Sequence, residues 1–392
     1  MKVSTRHLAS AAIMALSTLG ATALRADDDG ADGYRNAYLV TPLVSDLPGA
    51  KVMDPNLKNA WGVTFSPAAS PFWIADNATG LSTLYDGDGT IVPVVVTIPC
   101  PTTAGQGSSC PQTAAPTGTV WNPTAAFLVP GTTTASHFIF ATEDGTISAW
   151  ASGPAATIAV NNATVPNATN GAVYKGLAVG VNINGVTVNG GTSPTFVFLY
   201  ATNFRAGTID VFDAGFNQVT PGTPGKIDGN FTDADIPSGY APFGIQNING
   251  NLFVTYAKQN AAGHDDVADK GNGFVDVFDT DGHLLRRFAS RGKLNSPWGV
   301  ARASFAFGRF SGDILVGNFG DGRINVFDSE GHFRGQLRDT QGKPLAIDGL
   351  WTLTLGGGAK SSSDRLYFTA GPNLEMDGLF GTITPAQDID DN

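Results

Sequence analysis

Glutamate is nearly missing from this chain of 392 residues: Glu143, Glu330 and Glu375 are the only three. Charged residues of all kinds make up 15%, so the chain is no solvated, disordered polymer and no charge-laced helical bundle. Cysteine is limited to Cys100 and Cys110, which excludes a disulfide-dense scaffold. Five histidines, His7, His137, His264, His283 and His332, lie at unlike places in the chain and give no histidine metal cluster. There is no G-x-S-x-G nucleophile elbow and no H-E-x-x-H pair. Gly356-Gly357-Gly358-Ala359-Lys360-Ser361 approaches a phosphate loop but carries Ala359 where the motif needs glycine before lysine. Beyond the first 26 residues no run is long and apolar enough to cross a bilayer.

What is present is turn chemistry and short β-rich runs. Glycine is abundant (49), proline numbers 23, and most aspartates stand beside glycine, where they make turns. The formal charge is −11, which argues against nucleic acid or an anionic membrane as partner. Lys2 and Arg6 precede a small, apolar stretch from Leu8 to Leu24, with Ala21-Thr22-Ala23 or Ala26 as the cleavage point. This predicts a signal peptide over residues 1–26 and an exported, periplasmic or secreted, monomeric protein with no membrane span after cleavage. In an exported chain, Cys100 and Cys110 within one Pro/Gly/Ser loop are expected to form a disulfide.

The stretch Ser296–Asp328 sets the repeat. Pro297-Trp298-Gly299-Val300 enters one strand, Asp313–Asn318 forms a second, and Gly322–Asp328 a third. Similar units recur roughly every 50 to 70 residues, the mark of a propeller. Their starts are expected at Gly62, Ala125, Gly176, Gly244, Gly299 and Gly349. The last unit lacks a fourth strand, and the lone strand near Tyr38–Val44 can supply it. The expected fold is therefore all-β: a six-bladed β-propeller over 37–385, closed by its N-terminal strand. A flexible segment (27–36) precedes it and an acidic tail (386–392) follows.

The motifs AYLVTPLVSD, DPNLKNAWGV, FWIADNATGLSTLYDGDG, FIFATEDGTISAW, LNSPWGV, LVGNFGDGRINVFD and IDGLWTL resemble an uncharacterised family of exported bacterial NHL-like β-propeller proteins. The resemblance spans nearly everything from Ala37 to Pro385 and implies fold and export, with no mechanism. Some relatives end in a C-terminal sorting segment, whereas this chain ends in PAQDIDDN.

Three constellations could carry chemistry. The residues just before each blade-start glycine or its counterpart, Trp61, Thr124, Lys175, Phe243, Trp298 and Asp348, form an expected axial ring. It is either packing, with Lys175 paired to Asp348, or a shallow ligand site for a small molecule or a protein loop at the channel mouth. A second set ends the second strands: Asp76, Asn77, Glu143, Asp144, Asn203, Lys258 and Asn318. Of these, Asp76, Glu143, Asn203 and Asn318 either cap turns or supply oxygen ligands to Ca²⁺, as in the calcium-dependent lactonase propellers that the chain resembles in fold. Third, His264, Asp265, Asp266 and Asp269 crowd one long loop, as a solvated turn or as a second Ca²⁺ candidate without EF-hand spacing. Two functions follow: a binding or scaffold protein acting through its axial face, or a Ca²⁺-dependent hydrolase of the lactonase type.

Overall fold

The computed structural model describes residues 35–67, 70–101, 114–181, 197–224 and 226–386. The expected signal peptide, Cys110, the hairpin near Asn184-Gly185 and the tail beyond 386 lie outside these residues.

Alternating apolar runs punctuated by glycine and aspartate turns fold into six sheets, one per repeat, antiparallel except where the short strand Val52–Met53 pairs parallel with Val44–Ser45 at the edge of the sixth. The inner strands are Ala60–Thr64, Pro116–Trp121, Tyr174–Val181, Tyr240–Ile248, Pro297–Arg302 and Leu350–Leu355. Each leads outward through the next strands of its own blade, giving a six-bladed propeller. The strand Tyr38–Ser45 pairs antiparallel with Leu379–Pro385, from Tyr38 opposite Pro385 to Ser45 opposite Leu379, and so completes blade six. Tyr38 anchors this closure. Its ring stacks on Phe307 of blade five at 4.9 Å and its hydroxyl donates to the Phe307 carbonyl.

Most of the core lies between blades. Trp73 stacks on Phe138 at 4.1 Å between blades one and two, and Phe72 on Tyr367 at 4.5 Å between blades one and six. Near the axis the inner strands approach too closely for side chains. A Cβ on Gly299 would sit 2.8 Å from the Leu353 nitrogen, and one on Gly176 would sit 2.8 Å from the Ile245 nitrogen. These contacts explain the aromatic-or-polar residue followed by glycine that opens most blades.

Two blade starts differ from the sequence expectation. Blade two opens at Pro116-Thr117-Gly118, not near Ala125. Thr124 lies beyond the inner strand in a turn, where its backbone nitrogen donates to the Asn122 side chain and its hydroxyl accepts from the Ala126 nitrogen. Blade six opens at Leu350-Trp351-Thr352, past Asp348. There Thr352 stands where the other blades have glycine, and its hydroxyl donates to the Trp61 carbonyl at 2.7 Å, joining the last blade to the first.

Candidate functional site

Strand register shows which side chains meet at the axis. Ala60 pairs with Asp76, Pro116 with Thr142, Tyr174 with Asn203, Pro242 with Tyr256, Pro297 with Asn318 and Leu350 with Ala370. One residue past each inner-strand partner stand Trp61, Thr117, Lys175, Phe243, Trp298 and Trp351. One past each second-strand partner stand Asn77, Glu143, Phe204, Ala257, Phe319 and Gly371. The first ring thus holds four aromatics, with Thr117 and Trp351 in the places expected for Thr124 and Asp348.

The aromatics plug the axis. Trp351 is sandwiched between Trp61, at 3.6 Å between ring centroids, and Phe319, at 4.0 Å. Trp298 meets both tryptophans edge-on, and Phe204 and Phe243 close the far side. Phe319 is only half-buried.

Above the plug runs a chain of polar side chains drawn from four blades. Glu375 accepts from the Asn59 amide at 2.8 Å, and the same amide donates to Asn77 at 3.1 Å. The Asn77 amide donates to Glu143 at 2.9 Å, and Glu143 takes the Lys175 ammonium on its other oxygen. The Asn59 carbonyl accepts from the Trp351 indole at 3.1 Å, tying the chain to the plug. Lys175 is 2% exposed, with its ammonium 4.9 Å from the centroid of Trp61.

The backbone is bent to place Glu375. Asn373 (φ 56°, ψ 50°), Leu374 (φ 58°, ψ 45°) and Glu375 (φ 66°) form a left-handed turn with no glycine in it. Each such residue costs roughly 1–2 kcal/mol. Asp348, read from sequence as an axial carboxylate, clamps this turn instead: its Oδ2 accepts from the Asn373 nitrogen at 2.9 Å. Asn59 is also left-handed, at φ 45°.

The loop after Lys258 folds over the same mouth. Gln259 donates to the Phe204 carbonyl at 2.6 Å, and Asn260 organises the turn by accepting from the His264 nitrogen. The His264 ring and Asp265 are 2.7 Å apart, and ligand atoms of Glu143, His264 and Asp265 lie within 4.8 Å of one another. Asp266 is half-buried, with the Ser296 side chain against its carboxyl. Asp269 is exposed, and its side chain serves the Lys270 nitrogen.

The carboxyls are poised differently. Burial works against ionised Glu143, but the Lys175 and His264 charges, with the bonds from Lys175 and Asn77, hold its carboxyl below the usual value. Burial pushes Glu375 up, against the hydrogen bond from Asn59 and the charge of Lys175, and the Glu143 and Asp266 charges add to the rise. Burial also raises Asp266, against the Ser296 side chain and the pull of Lys175. The contact with His264 lowers Asp265.

The uncharacterised protein R648 of Acanthamoeba polyphaga mimivirus is 33% identical over 341 residues, 86% of this chain and 77% of that protein. The uncharacterised protein L690 of the same virus is 31% identical over 343 residues, 86% of this chain and 82% of that one. The chain belongs to their family. These members are viral, where the sequence resemblance implied exported bacterial proteins. No model of a known protein family matches the chain. Among solved structures, a gluconolactonase from Xanthomonas campestris is 14% identical with a TM-score of 0.48, covering 84% of this chain and 87% of its own. A virginiamycin B lyase from Staphylococcus aureus is 11% identical with a TM-score of 0.44, covering 88% and 99%. At that identity the likeness concerns architecture alone.

Within this family member, the oxygen-ligand set expected for Ca²⁺ does not assemble. Asp76 is fully buried and accepts from the Thr83 nitrogen. Asn203 accepts from the Val173 and Ala206 nitrogens, and Asn318 from the Asn295 nitrogen, so both organise turns. Strand alternation is the reason: these three share one position, while Glu143 stands one residue further on and turns to the axis. Ca²⁺ asks for six to eight oxygens. Here Glu143 is engaged by Lys175 and Asn77, and the donor next to it is a histidine nitrogen. The residues present do not fit that ion.

Glu375, Asn59, Trp351 and Phe319 were missing from the sequence reading of the site. A signal was available for Glu375, because two of the three glutamates of the chain meet here.

Proposed function

We propose that this chain is an exported, monomeric propeller that binds a small polar molecule at its axial mouth. The ligand class is rich in hydroxyl or amine donors and has one apolar face. The hydrogen-bonded chain from Glu375 through Asn59, Asn77 and Glu143 to Lys175 carries this reading. The aromatic plug already seals the axis, so stability does not call for two glutamates above it. A strained turn of exposed residues holds one of them in place, a feature that clusters at functional sites. Glu143 and Asp265 would accept from ligand donors, and the free part of the Phe319 ring would take the apolar face. The basic start, apolar stretch and small-residue cleavage point of residues 1–26 support export.

A metal-assisted hydrolase is the second reading. The approach of Glu143, His264 and Asp265 favours it, and the Lys175 ammonium on Glu143 weighs against it. Metal analysis of purified protein, with thermal melts in and out of EDTA, separates the two. A stoichiometric ion together with an EDTA-induced drop in melting temperature would support the hydrolase. Neither result, combined with tryptophan-emission changes on adding monosaccharides or amino sugars, supports binding.

A further inference from the structure

The half-buried Glu375 stands in the chain between two exposed apolar residues, Leu374 and Met376. Leu374 is 91% exposed, more than any other large apolar side chain among the described residues, and Met376 is 64% exposed. Their turn sits on the aromatic plug. A Cβ on Gly371 would lie 3.3 Å from the Trp351 indole nitrogen and 2.1 Å from the Asn59 side-chain oxygen, and the Glu375 nitrogen donates to the Gly371 carbonyl at 3.2 Å. The loop over the same mouth adds Val267, exposed and next to Asp266. We propose that the mouth takes a primary amine joined to an unbranched aliphatic chain, its ammonium among the carboxyls and its chain across Leu374 and Met376. This rests on the axial mouth being a ligand site and names the class of that ligand.

Charge sets the head group. Glu143, Asp265, Asp266 and Glu375 gather here, and Asp144 is close enough to feel Glu143. The cations among them are committed. Lys175 is bonded to Glu143, the His264 ring to Asp265, and Arg205 donates to the Gly171 carbonyl at 2.8 Å. Among the described residues neither Glu375 nor Asp266 forms an ion pair. Burial holds both carboxyls above their ordinary values. An arriving ammonium brings three donors and the positive charge that both carboxyls lack.

Apolar surface sets the tail. Leu374 and Met376 contribute little to the core, so covering them stabilises a complex more than it stabilises the fold. A chain laid on such surface gains up to about fourfold in affinity for each methylene fully buried. An aliphatic stem on apolar surface with its ammonium in a polar setting is the arrangement that lysine side chains adopt.

Calorimetric titration of the full chain with ethylamine, n-hexylamine, 1-hexanol and glucosamine tests this. Hexylamine is expected to bind at least roughly tenfold more tightly than ethylamine. It should also exceed 1-hexanol, which has the chain without the charge, by roughly tenfold or more. In the double variant Leu374→Asn with Met376→Gln, the advantage of hexylamine over ethylamine should shrink to about threefold or less. Both side chains are exposed and asparagine tolerates left-handed backbone, so the variant keeps its fold. Equal affinity for the two amines, equal affinity for hexylamine and hexanol, or an advantage that persists in the double variant would overturn the proposal. Glucosamine binding that Glu375→Gln weakens would then show that the mouth is still a ligand site, whereas no heat with any of the four compounds would overturn both.

Discussion

The Lys175 ammonium stands 4.9 Å from the centroid of Trp61 while donating to Glu143. One cation therefore ties the aromatic plug to the polar chain above it. Both partners are largely buried, with side chains 3% and 14% exposed. Removing one member of such a pair strands the other charge and costs roughly 3–5 kcal/mol. Lys175→Met should lose stability on that scale in urea unfolding, and adding Glu143→Gln should restore much of it. Additive losses in the double variant would contradict the pairing.

The same pair sets a pH dependence. Folding lowers the Glu143 value below its ordinary 4.5, so its contribution is complete above 4.5 and disappears as pH falls through the lower folded value. The stability gap between wild type and Lys175→Met should narrow in acid. A gap that stays constant from pH 7 to pH 3 would count against the assignment.

Glu375 carries the opposite sign. Its folded value lies above 4.5, chiefly through burial, so ionisation opposes folding. Stability owed to the neutral carboxyl is complete below 4.5 and is lost as pH rises through the folded value. Glu375→Gln should be more stable than wild type at pH 7, with the difference fading toward pH 4. A difference that does not change with pH would sink the claim.

The left-handed turn makes its own prediction. Leu374 is 91% exposed at φ 58° and packs against little. Leu374→Gly should raise stability by about 0.5–1 kcal/mol, the relief of strain less the added freedom of the unfolded chain. A loss of stability in chemical denaturation would show that the turn is not strained.

The blade architecture was legible because its signals are local. Trp298-Gly299 and Trp61-Gly62 mark inner strands, and the alternation of Ile324–Phe327 marks a third strand. The orphan strand at Tyr38 could be assigned because blade six ran short. The candidate site was legible only in part. Glu143 and Asp76 look alike in sequence, yet a single residue of register sends one to the axis and buries the other against Thr83 of its own blade. Thr117 was masked by its place beside the cysteine loop, and Trp351 by the Asp348-Gly349 step before it. Glu375 reaches the mouth through a left-handed turn of non-glycine residues, which propensity does not forecast.

The central claim is that the axial mouth is a ligand site built on Glu375, Glu143 and Phe319. Three of the six tryptophans, Trp61, Trp298 and Trp351, lie directly beneath it, so their emission reports occupancy. The decisive measurement is a fluorescence titration with glucosamine, which has hydroxyl donors, an amine and an apolar ring face, on wild type, Glu375→Gln and Phe319→Ala. A saturable change in wild type that is weakened roughly tenfold or more in both variants is the predicted result. No saturable change in wild type, or the same affinity in all three proteins, would contradict the account.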